Sequence, residues 1–314
     1  MKSTALIGVD WGTTNFRAMK IAVDGTIIDE RAGPYGILSA ASGDFAAALQ
    51  RQIGDWIVAA PDAAILMCGM IGSQHGWVEA PYAPIPATVD DLAARLATVK
   101  AMGRTVRIVP GVSGPAISAG LDVMRGEETQ VFGALTALPP TVARRLICLP
   151  GTHSKWVLAE GDESRWRIMR FATFMTGEAF AVLKYNSILG RTMEEGPDDE
   201  AAFDDGLARS GGPGGVLHHL FMVRTEGLFH AKPPAALASF MSGLLIGDEL
   251  RAALAWADEG PIAIVGAANL SRLYARALFR LSRPSEIVAA QAASALGLLK
   301  IAAAARLLAG AGET

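Results

Sequence analysis

Cysteine is nearly missing from this chain of 314 residues, which holds only Cys68 and Cys148, each inside a short apolar run. That scarcity excludes a disulfide scaffold and a cysteine-rich metal centre, and it fits reduced, buried thiols in a cytoplasmic protein. Histidine is sparse as well: His75, His218, His219 and His230 stand at no metal-ligand spacing from cysteines or acids, so no zinc site is expected. There is no excess of positive charge, the formal net charge being −3, so neither nucleic acid nor an anionic membrane is an expected partner. Long hydrophobic runs are also lacking. The apolar start breaks at Asp10 before a signal-peptide core forms, and the tail "IVAAQAASALGLLKIAAAARLLAG" is interrupted by Gln291, Lys300 and Arg306, which reads as a buried helix. A small-molecule partner is left as the expectation.

What is present is a 51% hydrophobic composition, enough for a large core and for two packed domains. Residues 5–9 read as a strand, followed by "DWGTTN" and by "FRAMKIAV", whose alternation places Arg17, Met19, Ile21 and Val23 on one side. Asp24 and Gly25 then signal a hairpin into "TIIDER". A glycine-threonine turn between two strands is neither a Walker nor a Rossmann loop, because both of those open a helix and need a different glycine spacing. Any phosphate here would sit on a β-hairpin. The same order recurs as "RLICLP", "GTHS", "KWVLA", a tight "EGDES" turn and "RWRIMRF". This weak internal repeat suggests two similar domains, each offering a hairpin loop to a cleft between them.

The remaining segments are mixed α/β. "FAAALQRQIGDWIVAA" is helical, "AILMCGM" and "TVRIVPG" are strands, and "EAPYAPIPA" is a proline-rich loop. "SGGPGG" at 210–215 reads as a surface loop. In the helix "ASFMSGLLIGDELRAALAW", Gly243 and Gly247 share a face and admit a close neighbour. "PIAIVGAANLSRLYARALF" reads as a strand, then Gly266 and Ala267, then a helix whose first amides face a nucleotide.

Phosphoryl transfer needs backbone donors around the phosphates, a carboxylate for hydrated magnesium, and an acid or base at the attacking hydroxyl. Gly12, Thr13 and Thr14 suit the first need and Asp10 the second, although the same residue types also populate ordinary turns. "DWGTTNFR" resembles the first phosphate motif of the actin, chaperone and sugar-kinase superfamily, and Gly151 with Thr152 resembles its second. Within that superfamily, "CGMIGSQHGWVEAPY", "VMRGEETQVFGAL", "LPGTHSKWV", "FMTGEAF" and "SGLLIGDEL" together resemble the 2-dehydro-3-deoxygalactonokinase family.

The resemblance implies an α/β fold of two ribonuclease-H-like, actin-like ATPase domains flanking a nucleotide cleft. Residues 1–137 would carry the first hairpin and the sugar-acid site. Residues 138–314 would carry the second hairpin and the adenosine site, with the last helix able to pack back on the first domain. It further implies ATP and Mg2+ as cofactors, Asp10 as the metal-binding residue, and phosphorylation of the terminal hydroxyl of 2-dehydro-3-deoxy-D-galactonate, giving the 6-phosphate and ADP. The alternatives are a kinase of a related sugar acid or sugar, a phosphatase of the same superfamily, and a non-catalytic nucleotide switch. A homodimer is the assembly expected.

In sugar kinases of this superfamily the catalytic acid heads a helix shortly before the second phosphate turn. Glu127 and Glu128 match that position, with glutamate in place of the usual aspartate, and Asp122 is the runner-up. Acids in a first helical turn are also simply stabilised by the helix dipole. Adjacent glutamates cannot face the same way, so one would point into the cleft while the other caps the helix or orients Arg125; Glu127 is the choice for the base. Arg17 could neutralise phosphate or be solvated, and His153 and Lys155 share that ambiguity. For the sugar acid, Gly72, Ser73 and Gln74 offer polar groups, with Trp77 and Tyr82 as walls.

Overall fold

A computed structural model describes residues 2–40, 43–139, 142–162, 165–257 and 260–308. Glu163 and Ser164 of the expected "EGDES" turn, and the last residues of the tail, lie outside these. The chain divides into two compact units: Met1–Arg144, Val157–Phe171 and Val288–Thr314 form the first, Arg145–Trp156 and Ala172–Ile287 the second.

The first unit opens with three strands, β1 (Leu6–Trp11), β2 (Phe16–Ile21) and β3 (Ile27–Gly33). Gly25 turns between the last two at φ +83°, a backbone state that favours glycine. Helix α1 (Phe45–Ala59) follows, capped by Asp44 accepting from the Ala47 amide, and then β4 (Ala64–Cys68). The short pairs β5 (Ala83–Pro84) and β6 (Ala87–Thr88) flank a turn and lead through α2 (Val89–Ala93) to β7 (Ala97–Ala101) and β8 (Arg104–Ile108). A hairpin, β9 (Val112–Pro115) and β10 (Leu121–Met124), delivers the chain to α3 (Glu127–Ala137).

The main sheet runs β3-β2-β1-β4-β8-β7, with β1 parallel to β4 and antiparallel to β2. One-sided alternation along β2 does not hold: Ala18 and Met19 are both fully buried, because the sheet is covered on both faces, and Val23 lies beyond the strand at 73% exposure. Ile7, Val9 and Trp11 share a core with Phe45, Leu49, Ile53 and Trp56 of α1. The opposite parity, Gly8 and Asp10, faces the last helix.

The second unit repeats the order. Strands β11 (Arg144–Leu149), β12 (Ser154–Glu160) and β13 (Arg167–Phe174) are neighbours in the sheet. Helices α4 (Thr176–Asn186), α5 (Glu200–Arg209), α6 (Gly215–Leu228) and α7 (Leu237–Trp256) precede β14 (Ile262–Gly266), which pairs parallel to β11 just as β4 does to β1. Then come α8 (Ala268–Arg280) and β15 (Ser285–Ala289), followed by α9 (Ala290–Ala304), which belongs to the first unit. The apolar tail thus starts as a strand and becomes a helix only at Ala290.

Glycines set two helix crossings. On α7, a Cβ at Gly243 would lie 2.1 Å from the Phe203 carbonyl of α5, and one at Gly247 would lie 2.1 Å from Ser210 Oγ. Ser210 is therefore buried, a correction to its reading as part of a surface loop; residues 211–215 are exposed. In the first unit α9 lies against α3: a Cβ at Gly133 would fall 1.7 Å from the Ala293 carbonyl and one at Gly297 1.9 Å from that of Thr129. Backbone-to-backbone packing this tight admits no side chain at either place.

Candidate active site

Parallel strands β1 and β4 end side by side, Asp10 opposite Cys68, and that edge is where open α/β sheets hold ligands. Asp10 is half-buried. Its Oδ2 accepts long hydrogen bonds from Gln130 Nε2 of α3 and Ser294 Oγ of α9, both at 3.4 Å, while Oδ1 receives none among the described residues. Burial pushes the Asp10 carboxyl up; the charge of Arg17 and the two hydrogen bonds pull it down by less. A carboxylate so weakly satisfied, beside Asn15 and Gly12, fits a hydrated cation as an added partner.

The turn after Asp10 is fastened from behind. Carbonyls of Gly12, Thr13 and Thr14 accept from the amides of Ile37, Leu38 and Gly36 at 3.0, 3.2 and 2.9 Å. Among the described residues the amides of Thr13 and Thr14 make no backbone hydrogen bond, and both residues are exposed. Two amides without backbone partners on an exposed, backed turn suit an anion. Arg17 Nε lies 3.1 Å from Glu30 on the neighbouring strand, and its charge also acts on Asp10.

Helix α3 begins on the same spot. Its preceding residue, Gly126 at φ +107°, packs so that a Cβ would lie 3.1 Å from the Gly69 Cα, and a Cβ on Gly69 would lie 3.3 Å from Asp10 Oδ1. Glu127 Oε2 accepts from the Arg125 amide at 2.9 Å. Glu128 Oε2 accepts from the Gly126 amide at 2.6 Å and its Oε1 from the Thr129 hydroxyl at 2.9 Å. Glu128 is fully buried, and burial, then the charge of Glu127, pushes its carboxyl up to about 8. The two glutamates therefore differ: Glu128 is buried with its carboxyl pushed up to about 8, and Glu127 is the half-exposed one. Asp122 sits apart from them on β10, its Oδ1 accepting from the Val123 amide at 2.7 Å.

The predicted sugar-acid residues lie on the segment after β4. Gly72 closes the single turn Met70–Gly72 and is buried, Ser73 is buried with its hydroxyl accepting from the His75 amide at 3.3 Å, and Gln74 is exposed. Trp77 stacks on Phe45 at 6.4 Å between ring centres, so one face belongs to the core. The Tyr82 ring lies 4.2 Å from the Arg125 guanidinium.

In the second unit, Gly151 and Thr152 turn between β11 and β12. The Thr152 carbonyl accepts from the Glu178 amide at 2.9 Å, and Gly177 sits so close that a Cβ would fall 2.3 Å from the Gly151 carbonyl. His153 is bonded to Glu178, and Lys155 Nζ donates to Thr173 at 2.7 Å. A recess opens beside the turn, lined by Gly151, Gly177, Phe180, Asn269, Leu270 and Tyr274 among others. Gly266 and Ala267 do not line it; Gly266 lies under the turn, where a Cβ would be 3.4 Å from Pro150, and Ala267 caps α8, whose next turn forms the wall. Beneath both, the buried Glu249 accepts from Trp156 Nε1 at 2.8 Å and Tyr274 Oη at 2.7 Å, and Tyr274 shares a 3.0 Å bond with Ser154, whose Oγ receives the Gly151 amide at 3.5 Å.

A profile of the 2-keto-3-deoxy-galactonokinase family matches residues 10–301. The chain belongs to that family. Among its kinase relatives, the 2-dehydro-3-deoxygalactonokinase of Escherichia coli (strain K12) is 32% identical across 94% of this chain and 97% of its own. A protein of Rhizobium meliloti (strain 1021) named as a probable 2-dehydro-3-deoxygalactonokinase is 37% identical over 86% of this chain and 87% of its own. A crystal structure from Sinorhizobium meliloti carrying the same kinase name superposes with a TM-score of 0.85 at 35% identity, covering 95% of this chain and 98% of that one. The activator of 2-hydroxyisocaproyl-CoA dehydratase from Clostridium difficile shares the actin-like fold, with a TM-score of 0.52 at 12% identity over 94% of this chain and 92% of that one.

Four neighbours of these candidate residues were not singled out as site residues from the sequence. Gln130 carries a signal, standing three residues after Glu127 on one helical face. Glu249 carries a weaker one, an acid inside an apolar helix. Ser294 is a small residue in an alanine-rich tail and has none, and Arg125 reads as one more charge before a helix.

Proposed function

We propose that the chain transfers the γ-phosphate of ATP to the terminal hydroxyl of 2-dehydro-3-deoxy-D-galactonate, giving the 6-phosphate and ADP. The observation supporting this is that Asp10 and the start of α3 meet around Gly69, with Gln130 of α3 bonded to Asp10. Asp10 would hold Mg2+ through water, and the metal would neutralise charge on the β- and γ-phosphates. Thr13 and Thr14 would donate their amides to phosphate, and the Gly151 and Thr152 turn would do the same in the second unit. The recess beside it would take adenosine, its apolar wall of Phe180, Leu270 and Tyr274 facing the base.

Glu127 is the residue we assign to the substrate hydroxyl. One of its oxygens is tied to the Arg125 amide, which fixes the carboxylate, and a loose transition state asks mainly for orientation of the nucleophile. Glu128 would shape the helix start through its bonds with the Gly126 amide and the Thr129 hydroxyl. Gly72, Ser73, Gln74, Trp77 and Tyr82 would surround the sugar acid, in a first domain of residues 1–137 onto which the last helix of the second, 138–314, packs back.

Two buried free cysteines support a cytoplasmic setting, and no helix among the described residues is long and apolar enough to cross a membrane. A homodimer is supported by exposed Leu217, Phe221 and Leu228 along one face of α6 and is checked by light scattering. The function is tested by ADP release across a panel of 2-keto-3-deoxy acids, hexoses and polyols. Turnover confined to the acids supports the assignment, and phosphate release without any acceptor refutes it.

A further inference from the structure

We propose that Arg125 is the residue that recognises the carboxylate of the sugar acid, an assignment that rests on the kinase reading above. Arg125 is 9% exposed, and its Nε and Nη1 have no hydrogen-bond partner among the described residues. The one side-chain bond it makes runs from Nη2 to the Ala80 carbonyl at 2.9 Å. A desolvated guanidinium hydrogen-bonded, among the described residues, only to a carbonyl is costly to keep, and an anion arriving as ligand relieves that cost.

The surroundings say where such an anion comes from. On the inner side, a Cβ at Gly72 would lie 3.1 Å from Nη1 and 2.8 Å from Ile108, itself fully buried, so that wall is closed and only glycine leaves the guanidinium seated. On the outer side lies the half-exposed Tyr82 ring, 4.2 Å from the guanidinium. A carboxylate reaches the unpaired Nε from that side by displacing the ring, and a charge-assisted hydrogen bond replaces the cation–π contact. The position also suits the chemistry. Arg125 stands two residues before Glu127, which holds the Arg125 amide, so one end of the sugar acid is anchored beside the acid that orients the other.

The test compares the wild type with Arg125→Gln and Arg125→Lys, measuring KM for the 2-keto-3-deoxy sugar acid, for its uncharged primary amide, and for ATP. The wild type should prefer the acid to the amide. Arg125→Gln should raise KM for the acid roughly 10- to 100-fold, the loss of one charge-assisted pairing, and leave KM for the amide and for ATP in place; Arg125→Lys should fall between. Equal rises for acid and amide would mark Arg125 as packing alone and overturn the proposal. If Arg125→Gln does not fold, the wild type and Arg125→Lys decide it: a wild type that accepts the amide as readily as the acid overturns it outright. If no acid supports ADP release, the kinase reading falls instead. Calorimetry of acid and amide on the wild type then judges Arg125 separately, equal binding of the two being the overturning result.

Discussion

Replacing Glu128 by glutamine should remove a pH dependence from the stability of the fold. The carboxyl is fully buried and pushed from 4.5 up to about 8. Below the lower value it is protonated in folded and unfolded chains alike, and the stability it contributes is fully present. As pH rises past that point the unfolded chain releases the proton while the folded one keeps it, so stability falls by about 1.4 kcal/mol per pH unit until the folded group also ionises. Over the whole window the loss has an upper bound of about 5 kcal/mol, comparable with the total stability of many domains. Glu128→Gln keeps an oxygen for the Gly126 amide and has no proton to release. The assay is urea denaturation followed by tryptophan fluorescence, wild type against variant, from about pH 5 to about pH 8; other groups titrate equally in both and cancel. The stability difference should swing toward the variant by at least about 2 kcal/mol as pH rises. A flat difference would refute a neutral, buried Glu128.

Asp10→Asn should fold as well as the wild type, since asparagine resembles the protonated form that burial favours, yet lose roughly 100-fold or more in kcat; a near-normal rate would remove Asp10 from the chemistry. Glu127→Gln should lower kcat by a similar order, roughly 100-fold, with little effect on KM for ATP, and equal activity of the Glu127 and Glu128 variants would reject the division of roles. Glu249→Gln disturbs the bonds to Tyr274 and Trp156 and should raise KM for ATP about tenfold while leaving KM for the sugar acid unmoved; a lowered melting temperature with unchanged KM would reduce Glu249 to a stability role. Gly297→Ala forces a methyl 1.9 Å from the Thr129 carbonyl and should cost about 2 kcal/mol or more, seen as a lower melting temperature.

Turn chemistry and local periodicity made much of the fold legible. Asp24 and Gly25 announced their hairpin because glycine relieves a positive φ there, and the repeated strand, Gly-Thr turn, strand order reappears as the same sheet grammar in each unit. Glu127 heads α3 as its place before an apolar segment suggested. What stayed hidden depends on contacts distant in sequence. The contact of Arg17 with Glu30 stayed hidden because the two lie on different strands. The stacking of Trp77 on Phe45 stayed hidden because nothing near it in sequence announces that partner. Burial of β2 on both faces erased the alternation that a half-covered strand would keep, and Ser294 meets Asp10 only because the last helix returns to the first strand.

That return has a bearing on how the molecule is made. Asp10 and Ser294 are separated by 284 residues, so a ribosome finishes the catalytic edge long before it supplies the helix that covers it. Until α9 emerges, the Gly8 face of the sheet is bare and the groove along Gly133 has nothing to fill it. The growing chain must wait with apolar surface open to water, and trimming the C-terminal helix should leave insoluble polypeptide, not a weakened enzyme.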